Sequence, residues 1–202
     1  RLVSEDRSAD AALAAARRYL ALGDAESAAA LLRALRERAP RDPVEPLARV
    51  LLARAELALG RVMAAGALLD SLPAHDARAR GALDPTVRTS HTLVRGLLEA
   101  RAGEHERALE RLGPLESTLP DRGDTADLSC ALAVSASDRD PPRALRALVI
   151  LDALVARGVA WPAALPACDG AEPRAELLRA VLERVESPAS LAAALDELPV
   201  DS

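Results

Sequence analysis

Apolar positions along this chain recur at helical spacing, and they do so in a block that returns. Leu13, Ala16 and Leu20 stand at i, i+3 and i+7, which places them on one face of a helix over about 9–22. Gly23 ends that helix and Asp24 is suited to cap the next. Ala28, Leu32 and Leu35 form the apolar face of a second helix that stops before Pro40. The small side chains of Ala16 and Ala28 allow the two helices to pack closely as an antiparallel hairpin.

The same block appears twice more. ALGDAESAAALLRAL at 21–35 is matched by ALGRVMAAGALLDSL at 58–72 and RAGEHERALERLGPL at 101–115. In each copy a glycine (Gly23, Gly60, Gly103) precedes an alanine by five residues (Ala28, Ala65, Ala108), and leucines follow at fixed offsets (Leu32 and Leu35, Leu69 and Leu72, Leu112 and Leu115). Val50, Ala53 and Leu57 fill the first helix of the second copy; Leu93, Gly96 and Ala100 fill that of the third. The turn glycines lie 37 and then 43 residues apart, and the excess falls in the Arg/Asp/Gly/Pro-rich stretch 74–89, which reads as a long loop. Gly113-Pro114 should end or kink the last helix of the third copy.

Beyond 122 the pattern loosens. Leu128, Ala131 and Leu132 suggest a helix, DRDPP at 138–142 a turn with proline at the next helix start, and Ala144, Leu148 and Leu151 a second-helix face, which together give a degenerate hairpin over 124–157. WPAALPACDG at 161–170 is a break, with Trp161 expected to plug the last hairpin onto the array. A final degenerate hairpin over 171–198 combines a helix bearing Leu178, Val181, Leu182 and Val185 with one opening at Ser187-Pro188 and bearing Leu191, Leu195 and Leu198.

These residues resemble the tetratricopeptide repeat, a helical hairpin with a period of roughly 34 residues. The 9–42 unit carries Ala16, Tyr19, Gly23, Ala28 and Pro40 where that family prefers those residue types, and the 89–122 unit carries Gly96, Gly103, Ala108 and Pro120. The middle unit, 46–73, lacks a terminal proline in register. The resemblance covers about 9–122 and extends loosely to 198. It implies an all-α fold, a right-handed α-α superhelix of about five hairpins over 1–202 as one repeat domain, whose first helices line a concave groove. The peptide-terminus clamp of some chaperone-binding members uses lysine and asparagine, and this chain has neither.

Composition fits a helical array and narrows its chemistry. Half of the 202 residues are apolar, yet the aromatics are only Tyr19 and Trp161, so the core must be built from Leu, Ala and Val. All 26 basic residues are arginine, the signature of a GC-rich bacterial genome. The absence of lysine excludes Schiff-base chemistry and a phosphate-loop lysine. A net charge of −5 gives no general attraction to nucleic acid or to an anionic membrane. No stretch approaches the roughly 20 apolar residues of a spanning helix. An opening at Arg1 is expected of an internal piece of a longer protein, or of a mature chain freed of its leader, and the two imply different compartments. Cys130 and Cys168 are expected to be buried, inert thiols, with a bridge pinning the 161–170 loop as the lesser alternative.

No catalytic, cofactor or metal constellation emerges. His75, His91 and His105 lack a ligand partner at metal spacing and read as surface residues; His105-Glu106 opens like a zinc-protease helix, but Leu109 stands where the second histidine belongs. Glu104, Glu106 and Glu110 read as surface acids paired along their own helix. Arg17 and Arg54 occupy equivalent repeat positions and Arg101 lies nearby in the third copy. Together these three are the candidate partner-binding residues, able to hold a carboxylate by paired hydrogen bonds.

The expectation is therefore a protein-interaction scaffold, not an enzyme, without cofactor or metal, binding a protein or peptide segment and no nucleic acid. The irregular Ala/Leu/Arg-rich repeats also resemble the helical N-terminal domain of outer-membrane lipoproteins that activate penicillin-binding proteins, which implies a regulatory module in the cell envelope. The alternatives are the sensor region of a cytoplasmic regulator, and a small-ligand binder or enzyme using the loops at 74–89 and 161–170.

Overall fold

The computed structural model describes residues 2–38, 40, 43–72, 84–117 and 122–185, with side chains from residue 8 onward. It is all-α, with nine α-helices and no strand among the described residues. The chain divides into two compact units, Arg1–Leu98 and Glu99–Ser202. The first holds α1 (Leu2–Ala21), α2 (Ala25–Arg38), α3 (Glu45–Ala58), α4 (Val62–Asp70) and most of α5 (Pro85–Arg101). The second holds α6 (His105–Leu112), a 3-10 turn at Gly113–Leu115, α7 (Arg122–Ala136), α8 (Pro141–Ala156), a second 3-10 turn at Pro166–Cys168, and α9 (Ala171–Arg184).

The three repeat glycines build the same turn. Gly23, Gly60 and Gly103 have φ of 78°, 77° and 78°, left-handed values that a side chain would strain. In each case the amide after the glycine donates to the carbonyl five residues back: Asp24 to Tyr19 at 2.9 Å, Arg61 to Glu56 at 2.8 Å and Glu104 to Glu99 at 2.9 Å. The glycine amides donate three residues back, to Leu20, Leu57 and Ala100. This pattern satisfies carbonyls that a helix end leaves open, and it reverses the chain within two residues. Gly158 closes α8 by the same device, with Val159 donating to Leu154 at 3.1 Å.

The second-helix leucines are buried as their spacing predicts. Leu32, Leu69 and Leu112 are fully buried, as are Ala28, Ala65 and Ala108. In the first unit one cluster joins Ala9, Leu13 and Ala16 of α1, Ala28, Ala29, Leu32 and Leu35 of α2, and Ala48, Leu51, Leu52 and Ala55 of α3. Thus α3 docks on the first hairpin through one stripe while Val50, Ala53 and Leu57, on other faces, are also buried. In the second unit α7 is the central helix: Ala126–Ala133 are all buried, and α7 packs chiefly on α8. Its small side chains permit that close approach.

Several expectations are corrected. The long loop placed at 74–89 ends sooner, because Pro85–Thr89 already belong to α5. Asp84 caps that helix by accepting from the Thr86 amide at 2.7 Å, and proline at the first helical position needs no amide partner. Residues 73–83, and with them His75, lie outside the described residues, as do Pro120 and the helix expected after Ser187-Pro188 with Leu191, Leu195 and Leu198. Cys130 and Cys168 are not free thiols. They form a disulfide between α7 and the second 3-10 turn, with Cα atoms 6.1 Å apart. His91 is buried, not on the surface, and the Nδ1 of half-buried His105 is enclosed without a hydrogen-bond partner. Glu106 pairs across helices with Arg139, not along α6.

Candidate functional site

The distinctive chemistry of this protein is a set of carboxylates buried at helix junctions and held by arginines. Glu56, on α3 four residues before Gly60, is 4% exposed. Arg33 of α2 reaches it from the preceding hairpin, and Arg61, just past the turn, donates to its other oxygen at 3.2 Å. Glu99 occupies the same position relative to Gly103, and Arg111 of α6 grips both its oxygens at 2.8 Å. Glu45, at the start of α3, accepts from Arg36 of α2 at 3.0 Å and from Arg49 at 2.7 Å. Arg49 continues to the Ser71 carbonyl at 2.9 Å, which ties the end of α4 to α3.

The physical reason for this arrangement is desolvation. A carboxylate removed from water needs a paired charge and satisfied lone pairs. Arginine supplies a planar fork of five donors that spans a helix junction without full burial of its own charge. The arginine-only composition thus has a structural use in tying helices together. For Glu56 and Glu99 the signal lay in the sequence as acids four residues before two of the three turn glycines, Gly60 and Gly103, but which arginine each would meet depends on packing.

Arg33 and Arg61 are about half-exposed, so each retains donors directed to solvent. They border an open cleft of about 390 Å³ between α2 and the turn that leads into α4, lined also by Glu26, Ser27, Ala29, Ala30 and Leu59. Two guanidiniums beside small apolar side chains can take a backbone carbonyl or carboxylate from a docked segment. Exposed apolar side chains lie at the same turns: Leu22 is 64% exposed and Met63 86%.

The three predicted arginines stand in three different environments. Arg17 is exposed on α1. Arg54 is buried within α3 and engaged there in a polar interaction. Arg101 is half-buried at the end of α5 and donates to the Ala164 carbonyl at 2.6 Å, so it holds the 161–170 segment in place. Position within the repeat located Arg17 and Arg54 on corresponding turns of their helices. It did not anticipate that α3 docks on the first hairpin. Trp161 is half-buried in the segment that Arg101 and the disulfide fasten.

Helix caps complete the local electrostatics. Asp24 accepts from the Ser27 amide at 3.0 Å, and that hydrogen bond holds its carboxyl below the ordinary aspartate range. The Thr86 amide does the same for Asp84. Among the described residues no three His, Cys, Asp or Glu side chains come together as a metal site, and no helix is long and apolar enough to cross a membrane. Comparisons with protein-family models, with curated proteins and with solved structures find no match to this chain.

Proposed function

We propose that this chain is a scaffold of the tetratricopeptide kind, an α-α superhelical array that binds a segment of a partner protein and performs no catalysis. The observation that carries this reading is the recurrence of one turn geometry with one buried-leucine pattern in three successive hairpins. Such units bury their apolar faces by stacking, and a stack offers side chains from successive hairpins to a single ligand. The cleft bordered by Arg33 and Arg61 joins two hairpins in this way and is the proposed docking point, with exposed Arg17 as a further contact.

The disulfide favours the cell-envelope form of this proposal over the cytoplasmic sensor. Disulfides persist in oxidising environments and are rare where thiol reductants prevail. A regulatory module acting on an envelope enzyme therefore suits Cys130 and Cys168 better than a cytosolic regulator does.

The test is site-specific photo-crosslinking from Ala30 and Arg61 in envelope extracts, followed by binding measurements on the captured partner. Ala30→Trp, which fills the cleft and leaves the Glu56 pairing in place, should weaken binding about tenfold or more. Unchanged binding in that variant, with loss on substitution of Arg17 instead, would move the site off the cleft. Stoichiometric binding of a small molecule with no protein captured would replace the scaffold reading by the ligand-binding one.

A further inference from the structure

The internal repeat shows which features of the cleft between α2 and the α3–α4 turn the packing requires. A buried acid stands four residues before Gly60 and Gly103, and Glu99 is held from within its own hairpin, by Arg111 at both oxygens. The position equivalent to Arg111 in the preceding copy is Leu68, and Glu56 is held instead by Arg33 and Arg61. Both arginines depart from the repeat. Their equivalents in the next copy are Asp70 and Glu104, and Asp24 stands before α2 where Arg61 stands before α4.

An arginine at 61 is unfavourable for the helix it introduces. It is the N-cap of α4 and makes no side-chain cap hydrogen bond there, and a cation at a helix start opposes the helix dipole. Asp24, at the equivalent position, caps α2 through the Ser27 amide. What the arginine gains is its place on Glu56. That carboxylate fixes two guanidiniums at once, Arg33 through Nη2 and Arg61 through Nη1, and each half-exposed group keeps further N–H donors at the cleft.

We propose that this arginine pair receives a glutamate or aspartate side chain from an extended partner segment, which rests on the docking role proposed for the cleft. Two guanidiniums and one buried carboxylate leave a single positive charge, and one ligand carboxylate completes it. Exposed Glu26 also lines the cleft and adds the opposite constraint. A phosphate dianion would face two acids there, Glu26 and Glu56, whereas a carboxylate leaves Glu26 to accept from a backbone amide of the segment. Ala29 and Ala30 line the same cleft, and side chains that small let a backbone come close. Glu56 is thus a positioning residue for the two arginines.

Amide chemical shifts of the full chain, titrated with the blocked peptide acetyl-Ala-Ala-Glu-Ala-Ala-amide, read the proposal. Saturable shifts are expected at Ser27, Ala30 and Arg61, with a Kd of about 1 mM for one charge-assisted contact. The glutamine version should bind at least about tenfold more weakly, and the phosphoserine version no more tightly than the glutamate one. Ala30→Trp, which fills the cleft, and Ala30→Glu, which places an acid in it, should each weaken binding about tenfold or more. Residue 30 is exposed, so circular dichroism should show unchanged helicity in both variants. The proposal is overturned by the absence of saturable shifts up to about 20 mM peptide, by shifts that survive both variants, or by tighter binding of phosphoserine. A partner segment that crosslinks at Ala30 without an acidic residue would also overturn it, and would leave the docking cleft itself standing.

Discussion

Cys130 of α7 and Cys168 of the 3-10 turn before α9 are joined across 38 residues of chain, and both are fully buried. The bond closes a loop that contains all of α8 and the Pro-rich segment after it. Closing a loop of this length removes chain entropy from the unfolded state worth about 4 kcal/mol. Cys130→Ser with Cys168→Ser should lower the stability of the second unit by that order. Denaturant unfolding with and without reductant checks it, and equal midpoints would show that the pairing contributes nothing.

Two glycines should respond in opposite directions to alanine. Gly103 has φ of 78°, and although an added Cβ meets nothing within 4 Å, the backbone strain should cost about 1 kcal/mol. Gly66 is inside α4, and its Cβ would rest at 3.7 Å from Leu98 Cδ2, an ordinary contact. Gly66→Ala should therefore stabilise by up to about 1 kcal/mol through helix propensity. Thermal unfolding of the two variants reads the sign directly.

Removing the charges around Glu56 should cost unequal amounts depending on which side goes. Glu56→Gln leaves Arg33 and Arg61 about half-exposed and able to hydrate, a loss of about 1 kcal/mol or less. Arg33→Ala with Arg61→Ala instead leaves a buried carboxylate with neither of these partners, and should cost about 3 kcal/mol or more. If the acid deletion proves the more damaging in urea titrations, then Glu56 is not held by desolvation logic.

Acid should weaken the helix starts first. Asp24 and Asp84 have carboxyls lowered in the folded state by hydrogen bonds from the backbone amides of Ser27 and Thr86. A lowered folded value means that the stabilisation is present above the unfolded aspartate value, about 3.9, and is lost as pH falls through the folded one. Amide exchange at Ser27 and Thr86 should accelerate, relative to other helix-start amides, as pH falls below the unfolded aspartate value of about 3.9. Asp24→Asn, which keeps a capping oxygen without a titrating group, should remove that pH dependence at Ser27.

The hairpins were legible in the chain because their determinants are local. A left-handed glycine, an alanine five residues on and a leucine four beyond that act within one turn and the helix it starts, so Gly23, Gly60 and Gly103 could be aligned before any packing was known. Gly113-Pro114 stops α6 at Leu112 for the same local reason: proline has no amide to continue the helix. Residues whose surroundings come from elsewhere in the chain were not legible in this way. Arg17 and Arg54 share a repeat position, yet one is exposed and the other buried, in a helix that docks on the first hairpin. Glu106 passes over its own helix to reach Arg139, and Cys130 finds Cys168, because tertiary packing brings α7 and the α7–α8 turn to them. Local spacing determines which segments become helices and where they turn; the environment of each charge and thiol is decided only when those helices pack, through contacts that one-dimensional spacing does not encode.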